Sequence, residues 1–414
     1  MSGDDHTLGS ALTRRRFLRA AAFVGAGGLM AGHAATSLAA DTVTLPFANG
    51  ERKLVTYPQK RPLILLTARP PQLETPFAVF NDGILTPNDA FFVRYHLAQI
   101  PTEIGPEKFR LEVKGRVNSP LALSLADLKT KFDPVEIIAV NQCSGNGRGF
   151  SNPRVSGGQM GNGAMGNAKW KGVRLKDVLN KAGVAASAKQ VAFNGLDTPV
   201  NEKTPDFTKA LDVDLALDED VMLAYEMNGE DLPMLNGYPL RLVVPGYYGT
   251  YWVKHVSEIT VLDENLVSFW MNPAYLIPDN TGACVEPGAT AKKTKPIARL
   301  NVRSFITSLT DGGKVHLGRD LAVRGIAFDG GYGVSEVLFS EDRGKTWRAA
   351  RLGKDLGKYS FREWTITFAA RRAGAHELKV KATNRIGQSQ PLEPLWNPAG
   401  YMRNVVETVR VTAG

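Results

Sequence analysis

Past Pro296 the chain alternates. Leu321/Val323, Val337/Phe339, Trp364/Ile366/Phe368, Leu378/Val380/Ala382 and Val409/Val411 are apolar rows of period two, separated by polar residues. A strand sends successive side chains to opposite faces, so each row reads as a strand with one buried face. Asp342-Arg343-Gly344-Lys345 marks a turn between two rows, and no helical period of useful length intervenes. Strands at intervals of roughly ten residues predict an all-β sandwich of immunoglobulin type.

Upstream the texture is mixed. Residues 41–99 are rich in Pro and Gly and read as an irregular N-terminal wrap with short strands. Residues 108–117 alternate apolar and charged, as a half-buried strand does. Ser124-Leu125-Ala126-Asp127 resembles a capping box opening a short helix with Leu125 and Leu128 on one face. Residues 135–140 (VEIIAV) predict a buried strand, and 173–182 a helix with Val178, Leu179 and Ala182 on one face, stopped by Gly183. Short strands and helices interleaving to about residue 265 predict a mixed α/β domain, so the fold class is α+β. The Lys-rich stretch 292–296 reads as the linker. The boundaries are therefore a cofactor or substrate domain at 41–295 and a sandwich at 296–414.

Residues 1–40 read as an address. Thr13-Arg14-Arg15-Arg16-Phe17-Leu18-Arg19 precedes an uncharged Ala/Gly-rich stretch, 20–32, too short for the ~20 residues of a membrane helix. Twin arginines before a weakly apolar core look like a Tat signal, the export route of proteins that fold first. Export of a folded chain to the periplasm points to a cofactor assembled beforehand.

Charge and cysteine content narrow the function. Lys and Arg total 50 against 41 Asp and Glu, a net +9 that suits anionic substrates but is too weak and dispersed for nucleic acid. The two cysteines, Cys143 and Cys284, exclude a disulfide-stapled scaffold. Cys143 follows the apolar run at a strand-to-loop exit, with eight glycines between Gly145 and Gly166 and Arg148 five residues on. That backbone can approach a bulky ligand closely, and the arginine supplies a cation near the thiol. The alternatives are a Cys143–Cys284 disulfide, an inert buried thiol, or a phosphate loop, although the Walker and dinucleotide spacings are missing. In Phe91-Phe92-Val93-Arg94-Tyr95-His96, Arg94 and His96 share a face if the segment is extended. A strand carrying Arg241, after Asn236, and a Gly/Tyr loop carrying Trp252-Val253-Lys254 bring further basic groups together, as a phosphate grip requires. Tyr275 has no local mark.

Taken together, four segments resemble the sulfite oxidase family of molybdenum enzymes, from about Asn81 through the C-terminal rows. In order they are F-F-V-R-x-H, the cysteine loop with its arginine, G-x-P-x-R-x-x-V-P-G and W-V-K. The resemblance implies that Cys143 is the protein thiolate on molybdenum. It assigns Phe92, Val93, Arg94, Tyr95, His96, Asp197, Asn236, Arg241, Trp252, Val253 and Lys254 to the pyranopterin and its phosphate. Arg94, Arg148 and Tyr275 then line the anion pocket, and Cys284 stays a free thiol. The family commonly has His at Asn236, and animal members have Asn at Tyr95.

The activity implied is periplasmic oxidation of sulfite to sulfate. Electrons leave singly to a c-type cytochrome, subunit or transient partner, since the chain has no C-x-x-C-H haem motif. A homodimer through the sandwich is also implied, with no membrane span. The alternatives are a sulfane-sulfur dehydrogenase of a thiosulfate-oxidising complex, a peptide-methionine-sulfoxide reductase, or a non-catalytic exported binding protein.

Overall fold

A computed structural model describes residues 42–414. The address segment lies outside the described residues. No helix among the described residues is long and apolar enough to cross a membrane.

Strands dominate. The described residues hold three α-helices, Leu125–Lys131, Leu175–Ala182 and Val213–Ala216, besides short 3₁₀ turns. The expected interleaving of helices and strands therefore overstates the helices, because most short apolar runs find a pairing partner elsewhere in the chain. The Pro/Gly-rich opening is a five-stranded antiparallel meander, Thr42–Thr44, Glu51–Val55, Leu63–Ala68, Pro71–Glu74 and Val93–Arg94. A second sheet orders Lys209–Asp212, Gln190–Gly195, Val256–Leu262, Leu111–Gly115 and Leu121–Leu123, with one parallel pair, Val256–Leu262 on Leu111–Gly115. A third pairs Pro134–Gln142 with Met165–Arg174 from Pro134↔Val173 to Gln142↔Met165. Met222–Met227 continues that sheet, and Arg241–Val243 pairs with it.

Local chemistry explains several boundaries. Ser124 Oγ accepts from Asp127 N at 3.0 Å and the Asp127 carboxylate accepts from Ser124 N at 2.9 Å, the reciprocal capping box expected. Leu128 is buried beneath that helix. The second helix begins two residues later than its pattern predicts, because Val173 and Arg174 still pair with Leu223 and Met222. Gly183 closes it at φ 71°, a conformation costly for any residue with a Cβ. The Lys-rich stretch is not free chain: Thr294–Pro296 pairs with Leu276–Pro278.

Past residue 300 the apolar rows fall on Leu321–Phe328, Val334–Ser340, Arg362–Phe368, Gly374–Asn384 and Glu407–Ala413. They divide between two sheets, ordered Arg303–Ile306, Leu321–Phe328, Arg362–Phe368, Arg351–Leu352 and Gly313–Val315, Glu407–Ala413, Gly374–Asn384, Val334–Ser340, Arg348–Ala349. Val323, Trp364, Val337, Phe339, Leu378 and Val380, from both sheets, fill one shared core.

Candidate active site

Three elements meet at a cleft with about 470 Å³ of space between its walls and mouth. The first is the edge strand Val93–Arg94. Alternation continues on both sides of it: Phe92, Arg94 and His96 face the cleft, while Val93 and Tyr95 turn into a separate core with Leu63, Leu73 and Leu235. The second is the loop after Pro134–Gln142. The paired strand carries Asn141 to the wall, and Cys143 N donates to Ala164 O at 2.9 Å, so the thiol leaves a rigid base. The third runs from Asn236 through Arg241–Val243 to Lys254.

Both cysteines are free, Cys143 buried and Cys284 half-buried. The disulfide alternative is thereby overturned. Cys143 is 8% exposed and sits on the cleft wall. No group of three or more His, Cys, Asp or Glu among the described residues could hold an ion unaided. A metal here would have this one sulfur from the protein and must bring its other ligands with it.

The glycines of the cysteine loop serve protein packing and not a ligand. A Cβ on Gly145 would lie 2.7 Å from the Arg148 guanidinium carbon, and one on Gly163 would lie 2.1 Å from Thr75 O. The cleft wall includes none of that run, and Gly249 is its glycine. Arg148 itself is turned aside. Its Nε donates to Ala399 O at 2.8 Å, and its guanidinium lies 5.1 Å over the ring of Tyr401. Tyr401 stacks on Tyr275 at 5.4 Å and 7°, so Arg148 stands one layer behind the wall.

Cations crowd the cleft without matching acids. Arg241 is buried between Trp170 (5.3 Å) and Trp252 (5.8 Å), and Nη1 donates to Asn236 O at 2.9 Å. Lys254 Nζ donates to Arg94 O at 2.6 Å. Burial, then the Arg241 charge, holds its ammonium well below the ordinary lysine range. Asp197, buried and displaced upward by desolvation, is the acid beside Lys254, though it stands off the wall. His96 stacks on Phe207 at 3.8 Å, and its Nε2 shares a hydrogen bond with Tyr275 OH. Burial first, then Arg94, Lys254 and Lys209, keeps His96 neutral, and burial keeps the Tyr275 phenol protonated.

Buried polar atoms without a hydrogen-bond partner gather on the same wall: Arg94 Nε, both amide atoms of Asn141, Ser144 Oγ, Arg241 Nε and Thr250 Oγ1. Each such orphan costs about 1–3 kcal/mol unless something fills it. A ligand with a hydrogen-bonding ring edge and an anionic end fits these atoms and this charge; a phosphorylated pterin has both.

Comparison with known proteins agrees with that fit. Residues 97–270 match the oxidoreductase molybdopterin binding domain, and residues 294–413 the Mo-co oxidoreductase dimerisation domain. Sulfite oxidase of Gallus gallus is 34% identical over 364 residues, covering 83% of this chain and 77% of that protein. The chain belongs to the sulfite oxidase family. Mitochondrial sulfite oxidase of Homo sapiens is 33% identical over 371 residues, 86% of this chain but 66% of that protein. The sulfane dehydrogenase SoxCD of Paracoccus pantotrophus has a similar structure, TM-score 0.71 at 25% identity, covering 83% of this chain and 84% of that one.

Of the residues that the sulfite oxidase resemblance assigned, Phe92, Arg94, His96, Cys143, Asn236, Arg241, Trp252, Lys254 and Tyr275 line the cleft. Val93, Tyr95 and Val253 pack into cores, leaving them main chain to offer. Tyr95 donates to His255 Nε2 at 2.6 Å, and His255 Nδ1 donates to Tyr238 O at 2.6 Å, which fixes the ring's tautomer. Asn141, Ser144 and Thr250 were missed, although each lies within two residues of a named one. Phe207, Lys60 and Lys209 carry no local signal. Lys209 lies between the faces of Tyr251 (4.7 Å) and Tyr275 (5.0 Å), and its Nζ donates to Trp270 O at 2.6 Å.

The buried lysines set a pH dependence. Burial pushes Lys60 and Lys209 down to about 7, against ~10.4 in an unfolded chain. Below pH 7 they are charged in both states, and the cost of burying them is carried in full. Between about 7 and 10 the folded protein sheds protons that the unfolded chain keeps, so its stability rises with pH. The thermal midpoint of cofactor-free protein should therefore climb from pH 7 to 9.5, and a fall there would contradict the buried cations.

Proposed function

We propose that this family member is a periplasmic sulfite dehydrogenase that passes electrons to a c-type cytochrome. The observation that carries the reading is a free, buried thiol on the same wall as Arg94, His96, Tyr275 and a cluster of buried cations. The domains are taken as a Tat signal at 1–40, a molybdopterin domain at 41–295 and an immunoglobulin-like dimerisation domain at 296–414. The overall change is sulfite plus water to sulfate, two protons and two electrons, so each turnover reduces two one-electron cytochromes.

Bound molybdopterin would supply the redox metal, which the Cys143 sulfur would hold, and with it the oxygen-transfer and two-electron chemistry. The chain's own residues do the rest. Arg94 offers a fork of N–H donors to the oxyanion. Tyr275, held by His96, points its hydroxyl into the same space and orients the bound anion. Phe207, Trp270 and Tyr401 pack around that pair and limit water. Arg241, Lys254 and the Asn236 amide would hold the phosphate of the cofactor.

Arg94→Met should raise KM for sulfite about 10–100-fold, the value of a charge-assisted contact. Arg148→Met, one layer back, should raise it less; steady-state kinetics showing the reverse order would exchange their roles. The structural likeness to SoxCD supports one second reading, a dehydrogenase of sulfane sulfur on a carrier protein. Supplying the molybdenum-loaded protein with free sulfite or with a carrier-bound sulfane, and following cytochrome c reduction, separates the two. Loaded protein that is silent with sulfite would end the first reading.

A further inference from the structure

Lys60 lies between Glu51–Val55 and Leu63–Ala68 in the opening sheet, far in sequence from the cleft, and it is 5% exposed. Its ammonium has three hydrogens and three oxygen acceptors: Asn88 O at 2.5 Å, Phe91 O at 3.1 Å and Asn236 Oδ1. None is a carboxylate. The nearby Asp89 is held by Arg61 through both its oxygens, at 2.9 and 2.7 Å. A buried lysine without an acid partner is costly, so the position calls for a compensating role.

Its contact with Asn236 decides which way that amide faces. While protonated, Lys60 only donates, so the amide oxygen points at it and the nitrogen away. One N–H then goes to Phe92 O at 3.0 Å. The other is left for the cleft, whose wall Asn236 forms beside Arg241 and Lys254. With the amide turned round, a carbonyl oxygen would face the anion instead. Arg241 grips the Asn236 main-chain oxygen from the other side, so the residue has no freedom to compensate.

We propose that Lys60 is a cofactor-positioning residue: it locks the Asn236 amide with its N–H toward the anionic end of molybdopterin and adds a buried positive charge behind it. This rests on the cleft being the molybdopterin site. Lys60 acts through Asn236 and touches no reacting atom.

The test uses full-length protein purified with its cofactor, measuring pterin and molybdenum per chain after long dialysis, and the thermal midpoint of the cofactor-free form. Lys60→Met should lose cofactor about tenfold faster than the parent, in line with other residues that orient a ligand's holder. In an Asn236→Ala background the same change should add nothing. Asn236→Asp is the decisive second variant, since it keeps an acceptor for Lys60 but presents no N–H, and it should lose cofactor as well. A lysine that only staples the opening sheet to residues 88–91 predicts the opposite pattern. Lys60→Met would then lower the midpoint equally in both backgrounds, and Asn236→Asp would keep its cofactor; either result overturns the proposal. Parent protein that never carries pterin would instead remove the site assignment beneath it, an outcome visible before any variant is made.

Discussion

Cys143→Ser should abolish the proposed sulfite-dependent cytochrome reduction, with an expected loss on the order of 10³-fold or more, about 4 kcal/mol of barrier. The substitution is nearly isosteric at a buried position, so the loop that Cys143 N anchors on Ala164 O is retained. What changes is the donor atom. A hydroxyl is a hard, neutral ligand where the proposed metal centre calls for a soft sulfur. Among the described residues no carboxylate lines the cleft to take over, and His96 already shares its Nε2 with Tyr275. Metal analysis alongside the kinetics should find pterin still bound, because Arg241, Lys254 and Asn236 are untouched. Turnover at the parent rate would place the reactive metal elsewhere, and the functional reading would fall with it.

Arg241→Met should have the second-largest effect, and its two readouts should move in opposite directions. Arg241 is 5% exposed between two tryptophan rings, and its Nε has no partner. Burial holds its guanidinium down at about 10, a sign of how costly the charge is there. Methionine fills much of the same volume without charge. The cofactor-free variant should therefore melt above the parent, since an unpaired buried cation has gone. Cofactor affinity should fall about 10–100-fold, the loss of charge-assisted hydrogen bonds worth about 1.5–3 kcal/mol. Thermal unfolding with and without cofactor checks both signs. A variant less stable without cofactor and unchanged with it would make Arg241 a structural strut between Trp170 and Trp252.

Much of this was legible along the chain. The capping box at Ser124, the stop at Gly183 and the apolar rows past Pro296 depend on neighbours within a few positions, and the fold keeps each. The spacing of Arg94 and His96 was equally local, and it delivers both to one wall, with Phe92 beside them. Where local pattern and long-range pairing conflicted, pairing prevailed: Val173 and Arg174 are strand, and part of the Lys-rich stretch joins a sheet. Arg148 shows the limit differently. Its spacing gave only a cation near Cys143, and the family resemblance put it at the anion; Ala399 O and the Tyr401 ring, from a segment far along the chain, hold it one layer back.

What the order of residues set by itself was a candidate site: a thiol, Cys143, with arginines and lysines on strands whose faces could be read from their period. Periodicity and capping act over a few residues and survive any tertiary arrangement. Only the folded molecule decided which cations lost their acids and which polar atoms were left without partners. Lys60 meets Asn236, Lys209 lies against Tyr275, and Tyr401 covers Arg148 through contacts between distant segments. Burial is a property of the whole packed chain, and it is burial that turns an ordinary surface lysine into a group that must have a ligand or a purpose.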